Sequence, residues 1–251
     1  NTSLTTRDYD NTRHAEGPAL ISYFVTLDNL TPDSIYYFRT FDSDGDNPIY
    51  WFKTAPATPE PVTFIAGGDS RTNTEPRQWG NQLVSKIRPL FIAFGGDYHD
   101  DCTNDEMRQW LNDWQLTVSS DNRMYPIVPA HGNHENDMTD FVQLIFNMPN
   151  ADAYFASNVG GNMMRLYSLN SELEPGVGYS AFQDQDATKW DEQTVWLAEN
   201  MAANPDYTWK IGQFHRPMRP HQGGKPEGLG RIEAWAQTMY DNGMDLVIDC
   251  D

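Results

Sequence analysis

The chain has 251 residues and a formal charge of −19, with 36 acidic side chains against 17 basic ones. That field repels polyanions and argues against a nucleic-acid-binding surface, although bound metal cations would reverse the sign locally and admit an anionic substrate. A hydrophobic content of 39% supports a packed core in one large domain or two smaller ones, and no apolar run approaches the roughly 18 residues of a membrane span.

The opening Asn1-Thr2-Ser3-Leu4 is polar and lacks the charged and apolar regions of a signal peptide. A leader already removed and a fragment's start both account for it. Residues 19–54 read as strands: Ala19 to Leu27, Ile35-Tyr36-Tyr37-Phe38 and Tyr50-Trp51-Phe52, punctuated by turn residues around Pro32 and Pro48. Asp42, Asp44 and Asp46 look like the start of a calcium loop. Gly45 is misplaced for one and Lys53 stands where the closing glutamate belongs, so a hairpin turn is expected. A stiff segment, Ala55-Pro56-Ala57-Thr58-Pro59-Glu60-Pro61, then separates a small β module (residues 1–57) from a larger domain (58–251).

From Val62 onward strands and helices alternate, the signature of an α/β domain. Met107, Trp110, Leu111 and Trp114 fall at helical spacing, as do Phe141, Leu144, Ile145 and Met148, and again Ile232, Trp235, Ala236 and Met239. These stripes predict core-facing helices. Leu246-Val247-Ile248 predicts a last strand. The two cysteines, Cys102 and Cys250, are too few for a zinc finger. Either one disulfide or two separate buried thiols fits them.

Four short apolar runs end in residues that can bind a cation. They deliver Asp69 after Phe64-Ile65-Ala66-Gly67-Gly68, Asp97 after Phe91-Ile92-Ala93-Phe94-Gly95-Gly96, Asn133 with His134 in Gly132-Asn133-His134-Glu135, and His215 after Ile211-Gly212-Gln213-Phe214. In open α/β sheets, ligands gather beyond the carboxyl ends of strands. A carboxylate has two oxygens and can bridge two cations, which suits Asp97. A mixed oxygen and nitrogen set accepts zinc, manganese or iron. Two cations about 3.5–4 Å apart suit hydrolysis of phosphate esters. No Gly-x-Ser-x-Gly elbow supports a serine hydrolase.

These blocks, with Phe214-His215-Arg216-Pro217, resemble the first four motifs of the calcineurin-like metallophosphoesterase superfamily, most closely its purple-acid-phosphatase-like branch. The segment Leu30-x-Pro32 through Tyr36-Tyr37-Phe38 to Phe52-Lys53-Thr54-Ala55-Pro56 resembles a fibronectin-type-III module, missing its start. The resemblance implies a four-layer αββα sandwich preceded by a partial all-β sandwich. It also implies a binuclear centre of two metal ions in which Asp69 serves one, Asp97 bridges, and Asn133 with His215 serve the other. Export to the periplasm or cell exterior is implied as well. The expected activity is that of a phosphomonoesterase on small phosphate esters, through in-line attack by metal-bound hydroxide. A phosphodiesterase on the same site, or an extracellular binding protein with a degenerate centre, stands as the alternative.

Three positions depart from the family pattern. Arg71 stands where the first motif carries a ligand or glycine; it either clamps a phosphate or pairs with an acid such as Asp97 or Asp100. Asp100 occupies the place of the purple enzymes' tyrosine and is a candidate metal ligand there, with no purple band expected. Asp251 takes the register of the fifth motif's first histidine and is a candidate ligand, with a final histidine expected beyond it. His134 is the expected proton donor or transition-state cation. Arg216, Arg219 and His221 are candidates to contact phosphate or leaving group. Glu135 is expected to orient a neighbour, with His99 and His131 in supporting positions, and His14 uninvolved.

Overall fold

The computed structural model describes residues 4–9, 20–43, 45–135, 141–176, 187–221, 223–225 and 227–251. His14, Asp44, Gln222 and the first three residues, on which the leader reading rests, lie outside the described residues.

Two antiparallel strand pairs open the chain, the second lined by aromatic side chains. β1 (Leu4–Tyr9) runs antiparallel to β2 (Leu20–Val25), and β3 (Ile35–Phe38) to β6 (Tyr50–Lys53). Tyr36 stacks on Phe52 at 5.8 Å, and Phe38 meets Tyr50 at 5.9 Å. Cross-strand pairs of this kind each contribute about 0.2–1 kcal/mol. Between them β4 (Phe41–Asp42) and β5 (Gly45–Asp46) close a hairpin, as the turn reading expected. Among the described residues these are three separate two-stranded sheets. The partial fibronectin-like sandwich expected for residues 1–57 is not shown by these pairs. Ile21, Tyr23, Val25, Ile35 and Tyr37 are exposed, and among the described residues no second sheet covers those faces. Contacts also run across the proline segment. The Trp51 amide donates to the Asn122 carbonyl, Met124 N–H donates to the Trp51 carbonyl, and Arg123 lies over the indole at 5.2 Å.

The larger part is a mixed α/β fold with two sheets. The first is wholly parallel, in the order β7 (Ile65–Gly67), β8 (Ile92–Phe94), β9 (Ile127–Pro129). The second runs β10 (Phe155–Val159), β11 (Met164–Ser168), β12 (Trp209–Gln213), β13 (Leu246–Ile248), parallel except for its first pair. β8 shows why a continuous apolar run is needed, since both of its faces are covered. Ala93 joins Leu166, Ile211 and Ile248 in a cluster fed by both sheets. Ile92 packs with Val84 of α1 (Thr74–Ile87), and Phe94 with Met107 and Trp110 of α2 (Asn104–Trp114) and Phe141 of α3 (Phe141–Phe146). On the far side, Tyr167 and Phe214 pack against Leu197 of α4 (Ala187–Ala203) and Trp235. Trp235 lies in the π-helical stretch Ile232–Ala236, between α5 (Leu229–Arg231) and α6 (Gln237–Asp241). The layers thus run helix, sheet, sheet, helix. The expected helical stripes lie in these helices, except that Met148 falls past the end of α3 while still packing in its cluster.

α2 starts at a sharp signal. Thr103 accepts from the Glu106 amide at 3.3 Å, and the Glu106 carboxylate accepts from the Thr103 amide at 3.0 Å, a reciprocal capping box. Thr103→Ala should cost about 1 kcal/mol, read as a lower denaturant midpoint with unchanged slope.

Candidate metal centre

All the parallel strands end on one edge, and the candidate residues follow them directly. Backbone bonds lock the strand ends together. Asp69 N–H donates to the Gly96 carbonyl at 2.9 Å, and the Cys250 and Asp251 amides both donate to the His215 carbonyl at 3.0 Å. His215 Nδ1 meets the Gly95 carbonyl at 2.9 Å, tying the second sheet to the first. Asp69, Arg71 and Asp97 all hold positive φ, at 52°, 35° and 53°. Strain of this sort persists only where surrounding bonds over-determine it.

Those bonds converge on Glu135 and Arg77. Glu135 is fully buried and accepts from the amides of Tyr98, Asp97 and Gly132. It therefore orients the Asp97 turn, as expected. Burial and the Asp97 charge raise its pKa to about 8. Arg77 donates to the Arg71 carbonyl and pairs with Asp113. Gly96 lets the Asp97 turn approach its neighbour. Its φ is +89°, and a Cβ there would meet Gly132 N at 2.6 Å. Gly96→Ala should cost about 1–3 kcal/mol and weaken metal affinity on the order of 10–100-fold, checked by calorimetric titration of the metal-free protein.

The side chains at this edge form one network. Asp97 is buried, with Oδ1 accepting from the His134 amide at 2.9 Å. Its Oδ2 lies 3.1 Å from His215 Nε2 and 3.0 Å from Arg71 Nη2, neither contact aligned as a hydrogen bond. Asn133 Oδ1 lies 3.1 Å from the same His215 nitrogen. His134 Nε2 stands 3.9 Å from Asp97 Oδ2, at the partly open mouth of the cluster. Burial works to raise the Asp97 pKa, but the charges of His215 and His134 prevail and hold it below the usual carboxylate range. For His215, burial works downward and the Asp97 carboxylate prevails, raising it to about 9. His215 Nε2 thus faces both Asp97 Oδ2 and Asn133 Oδ1.

The donors divide into two sets. Asp97 Oδ2, Asn133 Oδ1 and His215 Nε2 fit one cation. Ligands about 2.0–2.2 Å from a shared ion lie roughly 3–3.5 Å apart, and the histidine nitrogen is 3.1 Å from each of the other two. The buried Oδ2 makes ion-pair contacts to His215 Nε2 and Arg71 Nη2 but no aligned hydrogen bond, which leaves a lone pair for a cation. The second set, Asp69, Asp97 and Asp251, does not fit a cation as arranged. The Arg71 guanidinium lies among them, 2.6 Å from Asp69 Oδ1, 3.0 Å from Asp97 Oδ2 and 3.7 Å from Asp251 Oδ1. Lys225 Nζ also reaches Asp251 Oδ1, at 2.7 Å. Among the described residues, no group of three or more histidine, cysteine, aspartate or glutamate side chains is arranged to hold a metal. The first set reaches three donors only through an amide.

Other expected residues sit elsewhere. Asp100 offers the cluster its carbonyl, which His134 Nδ1 meets. Among the described residues, no hydrogen bond or ion pair joins its carboxylate to Asp69, Asp97, Asn133 or His215. Arg216 pairs with Glu172, whose two oxygens lie 2.9 Å from its Nε. His221 is exposed on its loop, near enough for its charge to act on Asp249. Arg219 is exposed and faces Glu227 at 3.9 Å. Both cysteines are free; Cys102 is buried and Cys250 only partly so. A Cβ on Gly95 would strike the Cys250 sulfur, so that thiol is packed beneath the cluster. Lys225 escaped the sequence reading, since one lysine in a Gly-rich loop carries no motif.

Residues 73–248 match the Metallophos family, the calcineurin-like phosphoesterases. The chain belongs to the calcineurin-like phosphoesterase family. The matched stretch holds Asp97, Asn133, His134 and His215, and leaves Asp69, Arg71 and Asp251 outside it. Two curated Mycobacterium tuberculosis proteins resemble it: uncharacterized protein MT2654 of strain CDC 1551 / Oshkosh and uncharacterized protein Rv2577 of strain ATCC 25618 / H37Rv. Each is 30% identical over 264 residues, covering 88% of this chain and 48% of theirs. The chain spans about half the length of these relatives. Among solved structures, a dimetal phosphatase from Danio rerio LOC 393393 gives a TM-score of 0.52 at 12% identity, covering 76% of this chain and 81% of that one. Plasmodium GAP50, the anchor in the inner membrane complex, gives 0.53 at 13% identity, covering 75% and 65%. At these identities the likeness shows this calcineurin-like phosphoesterase's fold alone.

Proposed function

We propose that this chain carries the centre of a metal-dependent phosphoester hydrolase of the purple-acid-phosphatase-like branch, acting on small phosphate monoesters. The convergence of Asp97 Oδ2, Asn133 Oδ1 and His215 Nε2 beside His134 carries the reading. A zinc, manganese or iron ion held by these donors supplies Lewis-acid polarisation of the ester and makes water a better nucleophile. His134 stands at the mouth, its Nδ1 fixed against the Asp100 carbonyl and its Nε2 on the Asp97 side, placed to hand a proton to the leaving oxygen. Glu135 keeps the Asp97 turn in register. Residues 1–57 are read as the β module that precedes such domains, ahead of a catalytic domain from 58 onward, and the protein as exported. Fractionation of producing cells tests the last point.

One observation favours a second reading. A guanidinium among Asp69, Asp97 and Asp251 suits a binding protein whose centre no longer turns over. Assay of the intact protein on nitrophenyl phosphate, as monoester and diester, separates these readings. Monoester turnover abolished by chelation and restored by one of the three metals is expected. Metal binding without turnover would favour the binding protein, and preference for the diester would move the substrate class.

A further inference from the structure

We propose that the Arg71 guanidinium takes the place of one cation of a two-metal centre, leaving Asp97, Asn133 and His215 to hold a single ion. The inference deepens the hydrolase reading and rests on it. Four observations carry it. The guanidinium is ion-paired at once with Asp69 and Asp97 and lies within ion-pair range of Asp251, the carboxylates left over once the Asp97–Asn133–His215 set is assigned. It is held there by the backbone. The Ser70 and Arg71 amides both donate to the Asp97 carbonyl, at 3.1 and 3.3 Å, and Arg77 grips the Arg71 carbonyl. Arg77 is itself buried and paired with Asp113, whose other oxygen accepts from Gln78. The arginine is thus built in, with φ of 35° maintained by a scaffold two helices deep. Lastly, Asp97 Oδ2 faces both the guanidinium and His215 Nε2. A bridging oxygen in a two-metal centre has that position between its ions; here one of the two positive neighbours is organic.

The substitution has a chemical consequence. A guanidinium stays charged at all working pH and offers planar, paired donors to phosphate oxygens, but has no vacant orbital for water. With Nε on Asp69 and Nη2 on Asp97, Arg71 would offer phosphate only its remaining donors, and polarisation of water would fall to the single ion held by Asp97, Asn133 and His215. With Asp251 turned to Lys225 as well, the negative charge that would draw in a second divalent ion is already offset.

Metal stoichiometry tests this without reference to turnover. The intact protein, stripped with chelator and titrated with Zn²⁺ or Mn²⁺ alone, should take one ion per chain by calorimetry and elemental analysis. His215→Ala should abolish that uptake. Arg71→His, which restores an imidazole ligand at this position, should take two. Two ions in the unaltered protein would overturn the inference and leave the hydrolase reading standing. No ion in the unaltered protein would overturn both. A folded Arg71→His that still takes one ion would also count against Arg71 as the substitute; its thermal melt establishes folding. Should that variant not fold, the count in the unaltered protein decides alone.

Discussion

Asp97→Asn should lower phosphoester turnover on the order of 10²–10³-fold or more, the scale seen when a preorganised electrostatic group is lost. The substitution is nearly isosteric, and the retained Oδ1 still accepts from the His134 amide. The change falls on Oδ2. An amide nitrogen placed there faces His215 Nε2 and Arg71 Nη2, donors both, and cannot ligate a cation. Ion uptake should fail together with turnover. His134→Asn is the contrasting case. It removes a proton donor that no ligand set needs, so turnover should drop by ~10²–10⁴-fold while ion affinity holds. Pre-steady-state assays and calorimetry on the two variants give a two-by-two comparison. Full turnover in Asp97→Asn would show that the chemistry does not pass through this cluster. Parallel loss of metal in both variants would reduce His134 to a structural part.

Much of this centre was legible along the chain because its strands are short and wholly apolar. Phe91-Ile92-Ala93-Phe94 has polar neighbours only at its end, so Gly95-Gly96-Asp97 could sit nowhere but at the edge of a doubly covered sheet. The same reasoning placed Asn133 and His215. It did not place Arg71. Asp69-Ser70-Arg71 says that a cation follows a carboxylate by two residues. It does not say that Asp251, at the far end of the chain, will lie within 3.7 Å of it. The pairing of Arg216 was hidden for the same reason. Its partner Glu172 lies 44 residues earlier, past the end of β11, and only the packed second sheet brings the two together. Asp100 shows a third limit: spacing from Asp97 fixes which residue follows the turn, but not whether its carboxylate or its carbonyl points inward. In the first 57 residues the apolar and aromatic runs between turn residues found β3 and β6. Whether paired strands close into a sandwich depends on covering a second face, and a strand's own sequence does not report that.

Asp113→Ala should destabilise the fold by about 3–5 kcal/mol, the cost of leaving a buried charge without its partner. Arg77 is 6% exposed and Asp113 7%, and two of the guanidinium's nitrogens bond the same carboxylate oxygen, at 2.9 and 2.6 Å. Asp113 also accepts from Gln78 through its other oxygen, and its carbonyl accepts from Asn81, so a single α2 residue anchors three side chains of α1. At about 2–4 °C per kcal/mol for a domain of this size, the melting temperature should fall by roughly 6–20 °C. The third guanidinium nitrogen of Arg77 donates to the Arg71 carbonyl, so the damage should reach the centre. A double variant separates the two effects. Replacing the pair by Arg77→Met and Asp113→Leu exchanges buried charges for apolar packing, which is often neutral or stabilising. That protein should recover most of its melting temperature. Its Arg71 turn would still lack the donor that maintains its positive φ, so phosphate affinity should stay weakened, read as a raised inhibition constant for inorganic phosphate. A double variant with normal stability and normal phosphate affinity would show that the Arg71 turn holds itself, and that the buried pair serves only to join two helices.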